Sequence, residues 1–198
     1  NKGARMLLPR MLPLGDLDEE ELFIAGWSES ETKFDEAFNV DLPDAISSVH
    51  RQLILTKHVQ VLEGGRISVE QAARLASELG RLLDQVQTEQ LKFEDLKALV
   101  PDEYAKHWQV TLEFLEVITK FWPSIISDKG MIDPAERRNL IMKTQFSHWK
   151  KQTPKHPVIA AGSTGSIPVT ADLLTLIASF PEGGVVLPGL DLSLNMKD

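Results

Sequence analysis

Between Gly162 and Pro168 the chain reads GSTGSIP, directly after the apolar run Val158–Ala161 and directly before a leucine-rich stretch. A strand, a glycine-rich loop and a helix in that order can cradle phosphate, with backbone amides and hydroxyls gathered at a helix N-terminus. A nucleotide-hydrolysing loop also needs a lysine on the β- and γ-phosphates and a hydroxyl on magnesium. Ile167-Pro168 stands where Lys-Ser/Thr would be, so ATP hydrolysis is not expected at this loop. Three uses remain. The loop is a tight turn in which Gly162 and Gly165 take backbone angles open to glycine. Or it contacts phosphate of a nucleic acid through its amides and the hydroxyls of Ser163, Thr164 and Ser166. Or it belongs to a small-molecule site, for which the residues give little support.

A second group with chemical capacity is basic. Arg137, Arg138, Lys143, Lys150, Lys151 and Lys155 stand against Asp133 and Glu136, a local charge of +4. Such a cluster is either a solvated helix face or a set of phosphate contacts, each of which would add salt-dependent affinity. Arg137 and Arg138 are adjacent and point about 100° apart on a helix, so one flat surface cannot use both equally. Gly162, Ser163, Thr164, Gly165, Ser166, Arg137, Arg138, Lys150 and Lys151 are therefore the candidate DNA-binding residues. His50, His58, His107, His148 and His156 fall in no metal-ligand spacing, and no serine sits in a nucleophile elbow. Carboxylates gather in an acidic stretch and in first helical turns, where the helix dipole accounts for them. No catalytic residue, metal site or cofactor is expected. Trp108, Trp122 and Trp149 are read as core residues on helices.

The charge is unevenly spread. The net charge is −8, yet eleven carboxylates and one lysine between Asp16 and Asp44 carry −10 alone, leaving about +2 elsewhere. Local sign steers a polyanion more than total charge does, so nucleic acid is not excluded. The acidic stretch reads as a solvated linker. With no cysteine, a disulfide framework and thiolate zinc sites are excluded, and a reducing cytoplasm is the expected compartment. No apolar run reaches the length of a membrane span. The chain opens at Asn1, and it is read as an internal piece of a longer protein.

These groups need elements to place them. A helix is expected after Ser47 through SVHRQLILTKHVQVLE, stopping at Gly64-Gly65. Ser68 with Gln71 forms a capping box for the next, with an apolar stripe at Ala72, Leu75, Ala76, Leu79, Leu82, Leu83 and Val86. A short helical turn is expected over Glu94–Leu99. Pro101 opens a longer helix that Pro123 should end or kink. Asp133-Pro134-Ala135-Glu136 is a capping signature for a helix to about Lys151. After Pro157 the pattern changes to strand, loop, helix from Pro168, and strand at GGVV, a parallel β–loop–α–β. The fold class is mainly α: a helical bundle attached to a small piece of an incomplete parallel sheet. The opening ARMLLPRMLPLGD, with two prolines, is read as the exit of a strand.

The stretch PVIAAGSTGSIPVTADLLTLIASFPEGGVVLPGLD resembles the signature segment of the alphaproteobacterial form of AddB. AddB is one subunit of the AddAB helicase–nuclease, which processes double-strand DNA breaks. The likeness continues through LVPDEYAKHWQVTLEFLEVITKFWPSII, GMIDPAERRN, LPDAISSVHRQLILTKHV and LLPRMLPLGDLDEEEL, in order along nearly the whole chain. The resemblance implies an internal fragment of the helicase-like N-terminal region. Residues 1–45 would be a strand exit, short helix and acidic linker, 46–156 the helical insertion of a RecA-like domain, and 157–198 a partial return to its sheet. VVLPGLD resembles the strand that carries the magnesium-binding acidic pair of an active helicase, and here only Asp191 is present. The implied role is a non-hydrolysing scaffold that holds DNA, as a single strand or break end, beside an AddA-type partner subunit. The alternative is a helical protein–protein interaction module without DNA contact.

Overall fold

The computed structural model describes residues 11, 14, 42–92 and 114–189. The short turn over Glu94–Leu99, the start of the helix at Pro101, His107, Trp108, most of the acidic stretch, the opening strand exit and Asp191 lie outside the described residues. Along the chain come β1 (Asp44–Ala45), α1 (Ser48–Leu62), α2 (Val69–Thr88), a π-helical turn (Val117–Phe121), α3 (Trp122–Asp128), β2 (Met131–Ile132), α4 (Pro134–Lys151), β3 (Val158–Ala161), α5 (Pro168–Ala178) and β4 (Gly183–Val186). The fold is mainly helical, with small parallel strand pairs.

Local chemistry sets the helix ends. Ser47 caps α1, its hydroxyl oxygen accepting from the His50 amide. Gly64, at φ 59°, ends it: the Gly64 and Gly65 amides donate back to Val61 and Gln60 carbonyls, satisfying groups the last turn would leave bare. The Ser68–Gln71 capping box is reciprocal, with the Gln71 amide donating to Ser68 Oγ at 3.3 Å and the Ser68 amide to Gln71 Oε1 at 3.1 Å. The far end of α2 closes with the same bond pattern, Leu91 N–H to Val86 O, but with Gln90 at φ 54° where glycine is usual.

Two packing units result. In the first, α1 lays Leu55 and Val59 against Ala72, Ala76, Leu79 and Leu83 of α2, and Val117, Ile118 and Trp122 close the core. Each fully buried Leu or Val contributes about 1.5–3 kcal/mol. Leu75 of the expected stripe is at the margin, 36% exposed. The second unit gathers Ala160 of β3, Val169, Leu173, Leu174 and Ile177 of α5, and Phe180. Helix α4 joins the two: it packs on α2, while Met142, Phe146 and Trp149 enter the second core. Trp149 meets the Phe180 ring edge-on at 5.8 Å.

β3 and β4 pair in parallel, Val158 opposite Gly183 through Ala161 opposite Val186, as the change of period implies. β1 and β2 also pair in parallel, Asp44 with Met131 and Ala45 with Ile132. Two-residue runs carry no alternating pattern, so this pairing had no signal in the sequence.

Pro123 does not end its helix. One residue earlier the Trp122 amide donates to Val117 O, five residues back, and α3 then continues to Asp128. The wider turn shifts the bonding register just ahead of the residue that has no amide to donate.

Asp133 departs most from expectation. It holds the N-cap position of α4, but its side chain makes no capping bond. It points inward, 2% exposed. Its Oδ2 accepts from Trp122 Nε1 at 2.8 Å and Gln87 Nε2 at 2.9 Å, and Oδ1 from Arg51 at 3.4 Å. Arg51 in turn forms a two-pronged pair with Asp84 at 2.6 and 2.7 Å. That hydrogen bond to Asp84 raises the guanidinium pKa above its ordinary value, against the opposing effect of burial. One carboxylate thus ties α1, α2, α3 and the start of α4 together.

Candidate functional site

The glycine loop joins the carboxyl end of β3 to α5. Gly162 and Gly165 both lie in the left-handed region, at φ 81° and 68°, which glycine enters without a Cβ penalty. At Gly165 a Cβ would also come within 3.2 Å of Leu174 Cδ1. The hydroxyls order the loop internally: the Gly165 amide donates to Ser163 Oγ and Thr164 Oγ1 donates to Ser166 Oγ, both at 3.3 Å. Gly162, Thr164 and Ser166 are exposed, while Ser163 and Gly165 are half-buried. Ile167, at the N-cap of α5, provides no side-chain acceptor, and Pro168 takes the first helical position. The loop therefore presents hydroxyls, with an uncapped helix start behind them, and no fixed positive charge.

The basic residues divide into two groups. Arg137 Nε donates to Pro43 O at 3.1 Å and Arg138 to Thr88 Oγ1 at 3.1 Å, so both half-buried arginines brace the start of α4. Lys150 and Lys151 are exposed in its last turn, where cations suit the helix dipole. Lys150 Nζ lies 5.7 Å from the Phe146 ring centre. Arg138 and Lys151 are 13 residues apart on one helix, about 20 Å along its axis. The lysines share their end of α4 with the β3–α5–β4 unit, and the arginines belong to the other end. The structure thus separates what the local charge count puts in one patch.

Among the described residues no group of three His, Asp or Glu is placed to hold a metal ion, and no helix is long and apolar enough to cross a membrane. His58 stacks beside Phe121 at 6.4 Å. Trp122 is fully buried and Trp149 half-buried in the cores. Asp133 stands at the N-cap position the sequence assigns to it, but its carboxylate turns into the core and makes no capping bond. The available signal was the polar company of Arg51 and Gln87 on helices that otherwise pack apolar faces.

No family model matches the chain, and no curated protein or solved structure matches it.

Proposed function

We propose that the chain is part of an AddB-type subunit of a double-strand break repair helicase–nuclease, acting as a non-hydrolysing, helicase-like scaffold that holds DNA beside an AddA-type partner. The helical part is then the insertion of a RecA-like domain, and β3–α5–β4 a segment of its parallel sheet. One observation carries the reading: a parallel β–loop–α–β unit with an exposed, hydroxyl-rich loop at the carboxyl end of its first strand. Open α/β sheets place ligands there, and helix N-termini accept phosphate through backbone amides without a lysine. Lys150 and Lys151, exposed in the last turn of α4 on the same packing unit, would add charge that the loop lacks.

The test is single-stranded DNA binding by fluorescence anisotropy over a salt series. The triple variant S163A/T164A/S166A removes the hydroxyls together with the two internal bonds they make, so its melting temperature is measured alongside, and weaker binding at an unchanged melting temperature is expected. The double variant K150A/K151A should lower the magnitude of the log–log salt slope by about 1.4, two lost contacts on a single strand. Unchanged affinity and slope in both variants would leave the loop a turn and the lysines solvated.

A second reading, a helical protein–protein module, draws on α1. Val49, Leu53 and Val61 are 64–71% exposed on its outer side, where a partner's apolar surface would be expected to pack. Absence of salt-dependent DNA binding by the intact chain would favour it.

A further inference from the structure

The second half of α4 carries cations that the fold does not neutralise. Lys143, Lys150 and Lys151 are all exposed. Among the described residues none of them makes an ion pair, in contrast to Lys120, which pairs with Glu116, and Arg51, which pairs with Asp84. The carboxylates of this packing unit, Asp172 of α5 and Glu182 ahead of β4, pair with none of the three. Lys150 has one fixed contact: its Nζ lies 5.7 Å from the centre of the half-buried Phe146 ring. Such a cation–π contact restrains the ammonium without cancelling its charge.

Helix geometry puts these lysines in line. Successive residues turn about 100° and rise about 1.5 Å. Lys150, seven residues after Lys143, therefore lies within about 20° of it and about 10.5 Å further along the axis. Ser147 falls between them, about 40° from Lys143, and it too is exposed. Lys151 flanks the line at about 80°. Carried back another seven residues, the line meets the exposed Glu136, so a negative charge closes its far end. Arg137 and Arg138 do not join it, because their side chains are spent on Pro43 O and Thr88 Oγ1. Lys143, Lys150 and Lys151 thus stand against Glu136 alone, and that carboxylate is about 10.5 Å along the axis from the nearest of them.

We infer that this line, Lys143, Ser147 and Lys150 with Lys151 beside it, is a track for the backbone of a single DNA strand. The inference rests on the DNA-holding reading above. It adds two contact residues, Lys143 and Ser147, and a path: the strand runs along α4 from its last turn as far as Lys143 and stops short of Glu136. Phosphates of one strand in B-form geometry repeat about every 3.4 Å along the axis. The two lysines, about 10.5 Å apart along the helix, therefore span three such steps, and the Ser147 hydroxyl can donate to a phosphate between them. Proteins that hold single strands combine cations that follow the backbone with aromatic faces for the bases, and here the Phe146 ring lies under Lys150. An acidic protein segment matches the charge but not the ring.

The experiment uses the whole 198-residue chain and a fluorescein-labelled oligothymidylate, read by anisotropy over a salt series. Lys143→Ala should lower the magnitude of the log–log salt slope by about 0.7, one lost contact on a single strand. Ser147→Glu sets a carboxylate between the lysines and should weaken binding at low salt about tenfold. Both positions are exposed, so both variants should keep the melting temperature of the unaltered chain. Lys57→Ala removes a lysine that is also exposed, but on α1, and should leave the slope as it is. An equal fall in slope for Lys57→Ala would overturn the track, since any lost charge would then do the same. An unchanged slope in Lys143→Ala while K150A/K151A lowers it would overturn the track and leave the DNA reading standing. No salt-dependent binding by the unaltered chain would remove the reading and the track together. Tighter binding of poly-glutamate than of oligothymidylate, weakened by Lys143→Ala, would overturn the track in favour of an acidic protein partner.

Discussion

Replacing Asp133 with alanine tests whether one buried carboxylate holds the first packing unit together. The substitution leaves Trp122 Nε1 and Gln87 Nε2 without the acceptor they meet at 2.8 and 2.9 Å. Arg51 loses only a longer contact of 3.4 Å and keeps its two-pronged pair with Asp84, so no charge is stranded. A buried donor left unpaired costs about 1–3 kcal/mol. Two such donors, less the relief of no longer burying a carboxylate, give a net loss of about 3 kcal/mol. That is a large share of a total stability of about 5–15 kcal/mol. Urea unfolding followed by far-ultraviolet circular dichroism measures it directly. The double-mutant cycle with Trp122→Phe isolates the indole–carboxylate bond, since the two residues are in contact, and a coupling of about 1 kcal/mol is expected. A loss below about 1 kcal/mol for D133A, together with zero coupling, would refute the view that the inward carboxylate secures these helices.

Adjacent glycines should behave in opposite ways. A Cβ at Gly183 would lie 1.8 Å from Ile177 O and 2.9 Å from Phe180 Cβ, whereas at Gly184 the nearest atom is Ile159 Cγ1 at 3.8 Å. Gly183→Ala should therefore cost about 3 kcal/mol or more in denaturant unfolding, the upper end for overpacking, and Gly184→Ala should stay within about 1 kcal/mol. Ser68→Ala removes the capping box and should cost about 1 kcal/mol by thermal unfolding. Its hydrogen bond to the exposed Glu70 also holds that carboxylate below the ordinary glutamate range. A lowered folded pKa gives stability that is present above the unfolded value and lost as pH falls through the folded one. An NMR titration should find the Glu70 pKa rising in S68A, and an unchanged value would remove Ser68 as the cause.

The features legible in the sequence were those that neighbouring residues decide. Ser47, Ser68 with Gln71, and Gly64 act within one helical turn, so α1 begins and ends, and α2 begins, where those residues stand. The strand–loop–helix–strand order after Pro157 likewise follows from local period, and β3 and β4 lie parallel. Gly162 and Gly165 take the backbone angles their type allows. The tertiary structure decided whatever depends on residues far apart in the chain. A capping role for Asp133 is a sound local reading, yet Arg51, Gln87 and Trp122 arrive from three other elements with donors, and a buried carboxylate surrounded by donors turns toward them. Arg137 and Arg138 count as charge in the sequence, but Pro43 O and Thr88 Oγ1 hold them at the start of α4, away from Lys150 and Lys151. Glycine at 183 looks interchangeable with its neighbour until α5 places the Ile177 carbonyl against it. The carboxamides of Gln87 and Asn139 find their partners only where α2 and α4 meet: Asn139 Nδ2 donates to Gln87 O and Gln87 Nε2 to Asp133 Oδ2.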